Sequence, residues 1–188
     1  AIDSVIQQFT ADEIADSFAM TYSEGGQFFA IFTFESTRIP SKTFVYNATA
    51  SALLQQKVWF ELQTGVNDDR FCVQSIVNAH GKLLVGDSKT GRIGYLDNTN
   101  LSYYGDPITR QMTTEPFSAD GLPLFSGEFE ATFESGVGLT VGQGSDPQVR
   151  MDFTDDGGRS FSSEFSRSIG KIGEYEQRSI WRRQGRFP

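Results

Sequence analysis

The chain has 188 residues and a net charge of −8, with 38% hydrophobic and 21% charged residues, enough apolar material to build one good-sized domain or two small ones. No stretch approaches the roughly eighteen consecutive apolar residues of a spanning helix, and Ala1-Ile2-Asp3-Ser4 offers no basic segment leading into an apolar one, so neither a membrane span nor a signal peptide is expected. So acidic a surface argues against wrapping nucleic acid non-specifically. The single cysteine, Cys72, cannot close an internal disulfide, and between Phe71 and Val73 it reads as a small core residue of a chain made in a reducing compartment such as a cytoplasm.

Along the chain, the first predicted element is a short helix near residues 10–19. Thr10 can cap it, Glu13 completes a capping box, Phe9 and Ile14 can form a hydrophobic staple, and Ile14 and Phe18 share an apolar face. From Met20 the period changes to two. Strand-like runs follow at 19–23, 28–34, 43–47 and 58–62, punctuated by Gly25-Gly26, Pro40 and Asn47, then at 71–78, 82–87 and 92–97, with turns at His80-Gly81 and Thr90-Gly91. The two rounds are loosely similar, which points to propeller blades, and so few blades cannot close a ring. The stretch 98–121 breaks the pattern. A boundary near residue 100 therefore divides residues 1–100, β-propeller-like blades, from residues 101–188, a β-sandwich-like unit with strands at 124–133, 147–154, 160–169 and 175–183. The expected fold class is all-β.

Chemistry is thinly represented. The lone histidine, His80, stands in a predicted hairpin turn away from any nucleophile pattern, and one His with one Cys cannot make a closed zinc site. The run Gly136-Val137-Gly138-Leu139-Thr140-Val141-Gly142-Gln143-Gly144 lacks the Gly-Lys-Ser/Thr ending of a phosphate loop. Asn47-Ala48-Thr49 matches a glycosylation sequon that has no meaning without a secretory route. Counting twelve residues from Asp152 reaches Ser163 where calcium needs a Glu. Catalytic, cofactor and metal residues are therefore expected to be none. The same segment fits an Asp-box: Thr154, Asp156, Gly158, Ser160 and Phe161, with Asp accepting backbone N–H groups, Gly taking a positive φ and the aromatic anchoring the hairpin. This box supports fold more than activity.

The tail is basic. From Arg159 onward seven basic residues face three acidic ones, and the closing run 174–186 carries Arg178, Trp181, Arg182, Arg183 and Arg186. Guanidinium groups suit bidentate carboxylate or phosphate contacts. These five residues form the candidate subunit interface, with a solvated strand and DNA phosphate contact as the competing readings.

Taken in order, Phe9-Thr10-Ala11-Asp12-Glu13-Ile14-Ala15, Val85-Gly86-Asp87 with Gly91-Arg92-Ile93-Gly94-Tyr95-Leu96-Asp97, Gly142 to Val149, Asp155 to Ser162, and Ile169 to Tyr175 through Trp181 to Arg186 resemble the C-terminal portion of phage packaged-DNA stabilisation proteins. The resemblance implies a non-enzymatic virion component at the tail or portal vertex, assembled in the host cytoplasm. It would act as a tail hub or head-to-tail adaptor that forms a homo-oligomeric ring and plugs the channel. Its implied partners are the portal protein ring and the tail needle or other tail proteins; DNA contact is at most indirect. The competing function is a receptor- or carbohydrate-binding module of a tail fibre, favoured by the aromatic content and the Asp-box. A sialidase-like glycosidase lacks its arginine cluster and acid pair.

Overall fold

The computed structural model describes residues 2–65, 69–100, 102–117 and 122–187. The chain divides into two compact units, Ala1–Gln111 and Met112–Pro188.

The first unit opens with α1 (Ile2–Ile6) and α2 (Ala11–Ala15). Both halves of the capping box form: the Glu13 amide donates to Thr10 Oγ1 at 3.3 Å, and the Thr10 amide donates to Glu13 Oε2 at 2.7 Å. Phe9 turns into the core against Phe34, ring centroids 5.5 Å apart, and Ile14 is 40% exposed. The helix does not reach Phe18, which enters the first strand as the first residue of an alternating pattern that suits a pleat better than a helical face.

A four-stranded antiparallel sheet follows, in the order β1 (Phe18–Glu24), β2 (Gln27–Phe34), β3 (Lys42–Asn47) and β4 (Trp59–Glu61). Gly25 and Gly26, at φ +57° and +77°, close the tight turn between β1 and β2, a backbone that glycine adopts without steric cost. One face of this sheet buries Ile31 beside Val45 and Thr33 beside Thr43, all at 0% exposure. The two threonine hydroxyls satisfy each other at 3.1 Å, as a buried polar pair must. On the opposite face Phe34 and Phe44 join Phe9 in a cluster covered by Ile2, Val5 and Ile6 of α1. Asn47 ends β3 and caps α3 (Ala48–Leu54), its Oδ1 accepting from the Ala50 amide at 2.9 Å. The turn read at Asn47 is thus a helix start, and α1 and α3 are additions to the one helix the sequence announced.

Two short strands, β5 (Gln63–Thr64) and β6 (Asp69–Arg70), lead into a three-stranded sheet of β7 (Val73–Ala79), β8 (Lys82–Asp87) and β9 (Ile93–Tyr95). His80 and Gly81, at φ +53° and +71°, make its hairpin turn as expected. Phe71, Cys72, Val73 and Val85 are its buried core, with Met20 of β1 packed against them. A small ladder of β10 (Ser102–Tyr103) and β11 (Asp106–Pro107) closes the unit. The two larger sheets are blade-like and open.

Among the described residues the second unit contains two two-stranded sheets. One pairs β12 (Leu124–Ala131) with β15 (Ser179–Phe187), the other β13 (Gln148–Met151) with β14 (Phe165–Ser168). β13 and β14 are shorter than expected because the intervening residues are taken up by the Asp-box turn. β15 begins four residues later and runs four further than expected. Glu174 holds the Lys171 amide in a turn at 2.9 Å, and a β-bulge keeps the strand paired beyond Arg183.

Candidate interaction surfaces

The closing strand β15 carries the residues read as an interface, and the ladder with β12 decides where each goes. Phe129 stands opposite Trp181, and Glu128 opposite Arg182, on the alternate face. Trp181 is 1% exposed, its ring 5.7 Å from that of Phe129, and its indole N–H donates to the Phe165 carbonyl at 2.9 Å. It is a core residue of the second unit and leaves the list of surface candidates, because a buried indole with its one donor satisfied has nothing left to offer a partner.

Arg178 and Arg182 lie on the solvated face and find carboxylates within the chain. Arg178 grips Glu130 with two donors, Nε at 2.6 Å from Oε1 and Nη2 against Oε2; Arg182 Nε lies 2.9 Å from Glu128 Oε2. The Arg178 guanidinium holds the Glu130 carboxyl below its ordinary range. Arg183 is exposed at φ +61°. Together with Gln184 it forms the bulge, two residues set against Gly127 where the register shifts between Ser126 and Glu128. The Arg186 side chain lies outside the described residues.

The Asp-box sits at the tip of the β13–β14 hairpin. Thr154 Oγ1 donates to Asp156 Oδ1 at 2.8 Å and accepts from the Gly158 amide at 3.0 Å. Asp156 Oδ1 also takes the Arg159 and Ser160 amides at 2.8 and 2.9 Å, and Oδ2 takes the Ser160 hydroxyl at 2.5 Å. These donors, the Ser160 hydroxyl first, pull the Asp156 carboxyl far below its usual range. Gly157 and Gly158 stand at φ +76° and +88°. Phe161 departs from expectation: it is 55% exposed, and among the described residues it stacks on no other aromatic ring. The hairpin is tied instead through Phe153, whose carbonyl accepts from the Ser162 amide at 2.8 Å and whose ring lies parallel to Phe165 at 6.4 Å. With its carboxylate spent on its own backbone, the box is a fastening of the turn.

The remaining sequence features are structural. Cys72 is 1% exposed and its Sγ meets the Tyr103 hydroxyl. Asn47 of the sequon is 7% exposed, and its side-chain amide donates to Gln27 at 2.6 Å. Among the described residues no cluster of three or more His, Cys, Asp or Glu is placed to hold a metal.

Sequence reading did not single out the outer face of the three-stranded sheet. Val77 pairs across to Leu84 and Leu84 to Tyr95, which puts all three on one face. Val77 is 58% and Tyr95 51% exposed, and Lys82 Nζ stands 4.2 Å over the Tyr95 ring. Apolar neighbours such as Ile76-Val77 and Leu83-Leu84 put apolar residues on both faces of this hairpin, so its pattern does not tell which face is covered.

Blade-like open sheets followed by a small sandwich define an all-β protein of propeller-plus-sandwich make-up. The comparisons agree: residues 1–101 match the family model described as bacteriophage P22 Gp10, beta-propeller, and residues 109–188 the one described as bacteriophage P22 Gp10, beta-sandwich. The chain belongs to the bacteriophage P22 Gp10 family, phage structural proteins of packaged-DNA stabilisation. No curated protein matches it.

Proposed function

We propose that the chain is part of a tail hub or head-to-tail adaptor that sits at the portal vertex and retains packaged DNA by plugging the exit channel. The observation that carries this reading is the order of the two family matches, propeller type then sandwich type, along the chain. Two features support it. The blade-like sheets are open, and the apolar residues Val77 and Tyr95 on the outer face of the second are half exposed, as befits a piece that completes its packing in an assembly. The net charge of −8 favours a mechanical plug over neutralisation of phosphates, since acidic walls repel the duplex and let it slide.

In this reading the chain works as a homo-oligomeric ring against the portal protein ring, with the tail needle or other tail proteins below, after assembly in the host cytoplasm. The exposed arginines of β15 are the first candidates for contact between subunits. The test is mass by light scattering of the protein alone and mixed with portal rings of the same phage. Co-migration as a ring-on-ring complex is expected; a stable monomer that ignores portal rings overturns the reading.

A further inference from the structure

A cleft in the first unit is used by nothing described so far. It consists of two adjoining hollows of about 230 and 330 Å³ that share Tyr22, Glu24, Leu62 and Asn98. The first is lined by Leu62, Leu96 and Ile108 over the buried Ile31 and Phe71, and flanked by Arg110; the second runs past Phe29 and Phe60. Tyr22 lies against Phe29, ring centroids 4.9 Å apart at 20°, with Phe60 edge-on to Phe29 at 6.3 Å. The floor is therefore aromatic and aliphatic.

The rim is polar, and among the described residues four of its side-chain groups make no hydrogen bond or ion pair: the Tyr22 hydroxyl, the Glu24 carboxylate beside it, the Asn98 amide and the Arg110 guanidinium. Asp97, also on the rim, is already occupied, its Oδ1 accepting the Thr99 amide at 2.9 Å and the Thr99 hydroxyl at 2.6 Å. Burial, with Glu24 beside it, raises the Tyr22 phenol above its ordinary range, so it stays a neutral donor at physiological pH.

We propose that this cleft binds a neutral saccharide. A pyranose presents apolar C–H faces that pack on aromatic rings, and hydroxyls around its edge that need donors and acceptors together. The cleft supplies both in one place, with a carboxylate and a guanidinium able to take neighbouring hydroxyls in pairs. Charge decides between ligand classes: Glu24 and Asp97 against Arg110 leave the lining slightly negative, which disfavours phosphates, nucleic acid and acidic sugars. The shallow, open form also suits a sugar better than a peptide side chain, which needs an enclosed pocket.

The experiment is saturation-transfer NMR on the full chain with three probes: maltotriose, chitotriose and digalacturonate. Saturation transfer to at least one neutral trisaccharide is expected, weakened tenfold or more by Asn98→Ala and by Arg110→Ala. Both positions are exposed, so melting curves of the variants should overlay the wild type. No transfer to either neutral probe, transfer to digalacturonate alone, or neutral binding that survives both substitutions overturns the proposal. The ring-on-ring experiment reads a different property, so either reading can fail while the other stands.

Discussion

Glu13 is the most heavily engaged carboxylate of the first unit. Its Oε1 accepts the Ser36 hydroxyl at 2.5 Å and its Oε2 the Thr10 amide at 2.7 Å, with Arg38 Nη2 at 3.4 Å. These donors, the Ser36 hydroxyl first, lower its pKa to about 2. A folded-state pKa below the unfolded one means stability that is fully present above the ordinary carboxylate range and drains away as pH falls through about 2. Glu13→Gln should therefore melt earlier than the wild type at pH 7, and the two melting curves should converge towards pH 2. Parallel curves across that window would mean that the network carries no linkage. Half of this site was legible in the sequence. Thr10 and Glu13 stand three apart, a spacing that local chain geometry enforces, whereas Ser36 and Arg38 arrive from beyond β2 through tertiary folding, which no local pattern announces.

Strands were legible where alternation was undisturbed and misplaced where a side chain overrode it. Phe18–Glu24 alternates strictly and forms β1, where a strand was read at 19–23. The box carboxylate of Asp156 holds the Arg159 and Ser160 amides, withdrawing them from any ladder and shortening both flanking strands. In β15 the bulge at Arg183 breaks the period of two, so the pattern fades while the pairing continues. Trp181 is the test of this element. Trp181→Ala should cost the second unit about 3–5 kcal/mol in urea unfolding, the range for truncating a buried aromatic. Trp181→Phe keeps the ring against Phe129 but strips the Phe165 carbonyl of its indole donor, and should cost about 1–3 kcal/mol. Equal losses for the two would show that the hydrogen bond, not the packing, carries the contribution.

At the scale of the molecule, family and fold class were readable from the order of weak motifs, and the assignment of surfaces was not. Sequence gathered five residues of the closing run into one interface; the fold sends Trp181 inward and pairs Arg178 and Arg182 with Glu130 and Glu128. Such solvated pairs contribute little to stability, because water and salt screen them. Arg182→Glu should accordingly leave melting within a few degrees of wild type while abolishing the ring-on-ring mass with portal, if β15 lies between subunits. An unchanged mass would remove β15 from the interface.

The covering of Phe34 and Phe44 by α1 has a consequence for how sheets can be added. Capping repeats of solenoids end a stack by presenting something other than a flat sheet to the next unit. While α1 stays in place, no further sheet can lie flush on that side of the first blade. The half-exposed Val77 and Tyr95 of the three-stranded sheet have no such helix over them. A helix of five residues thus makes the two sheets of the first unit unequal, one with an apolar face covered from within the chain and one with an apolar face left half open.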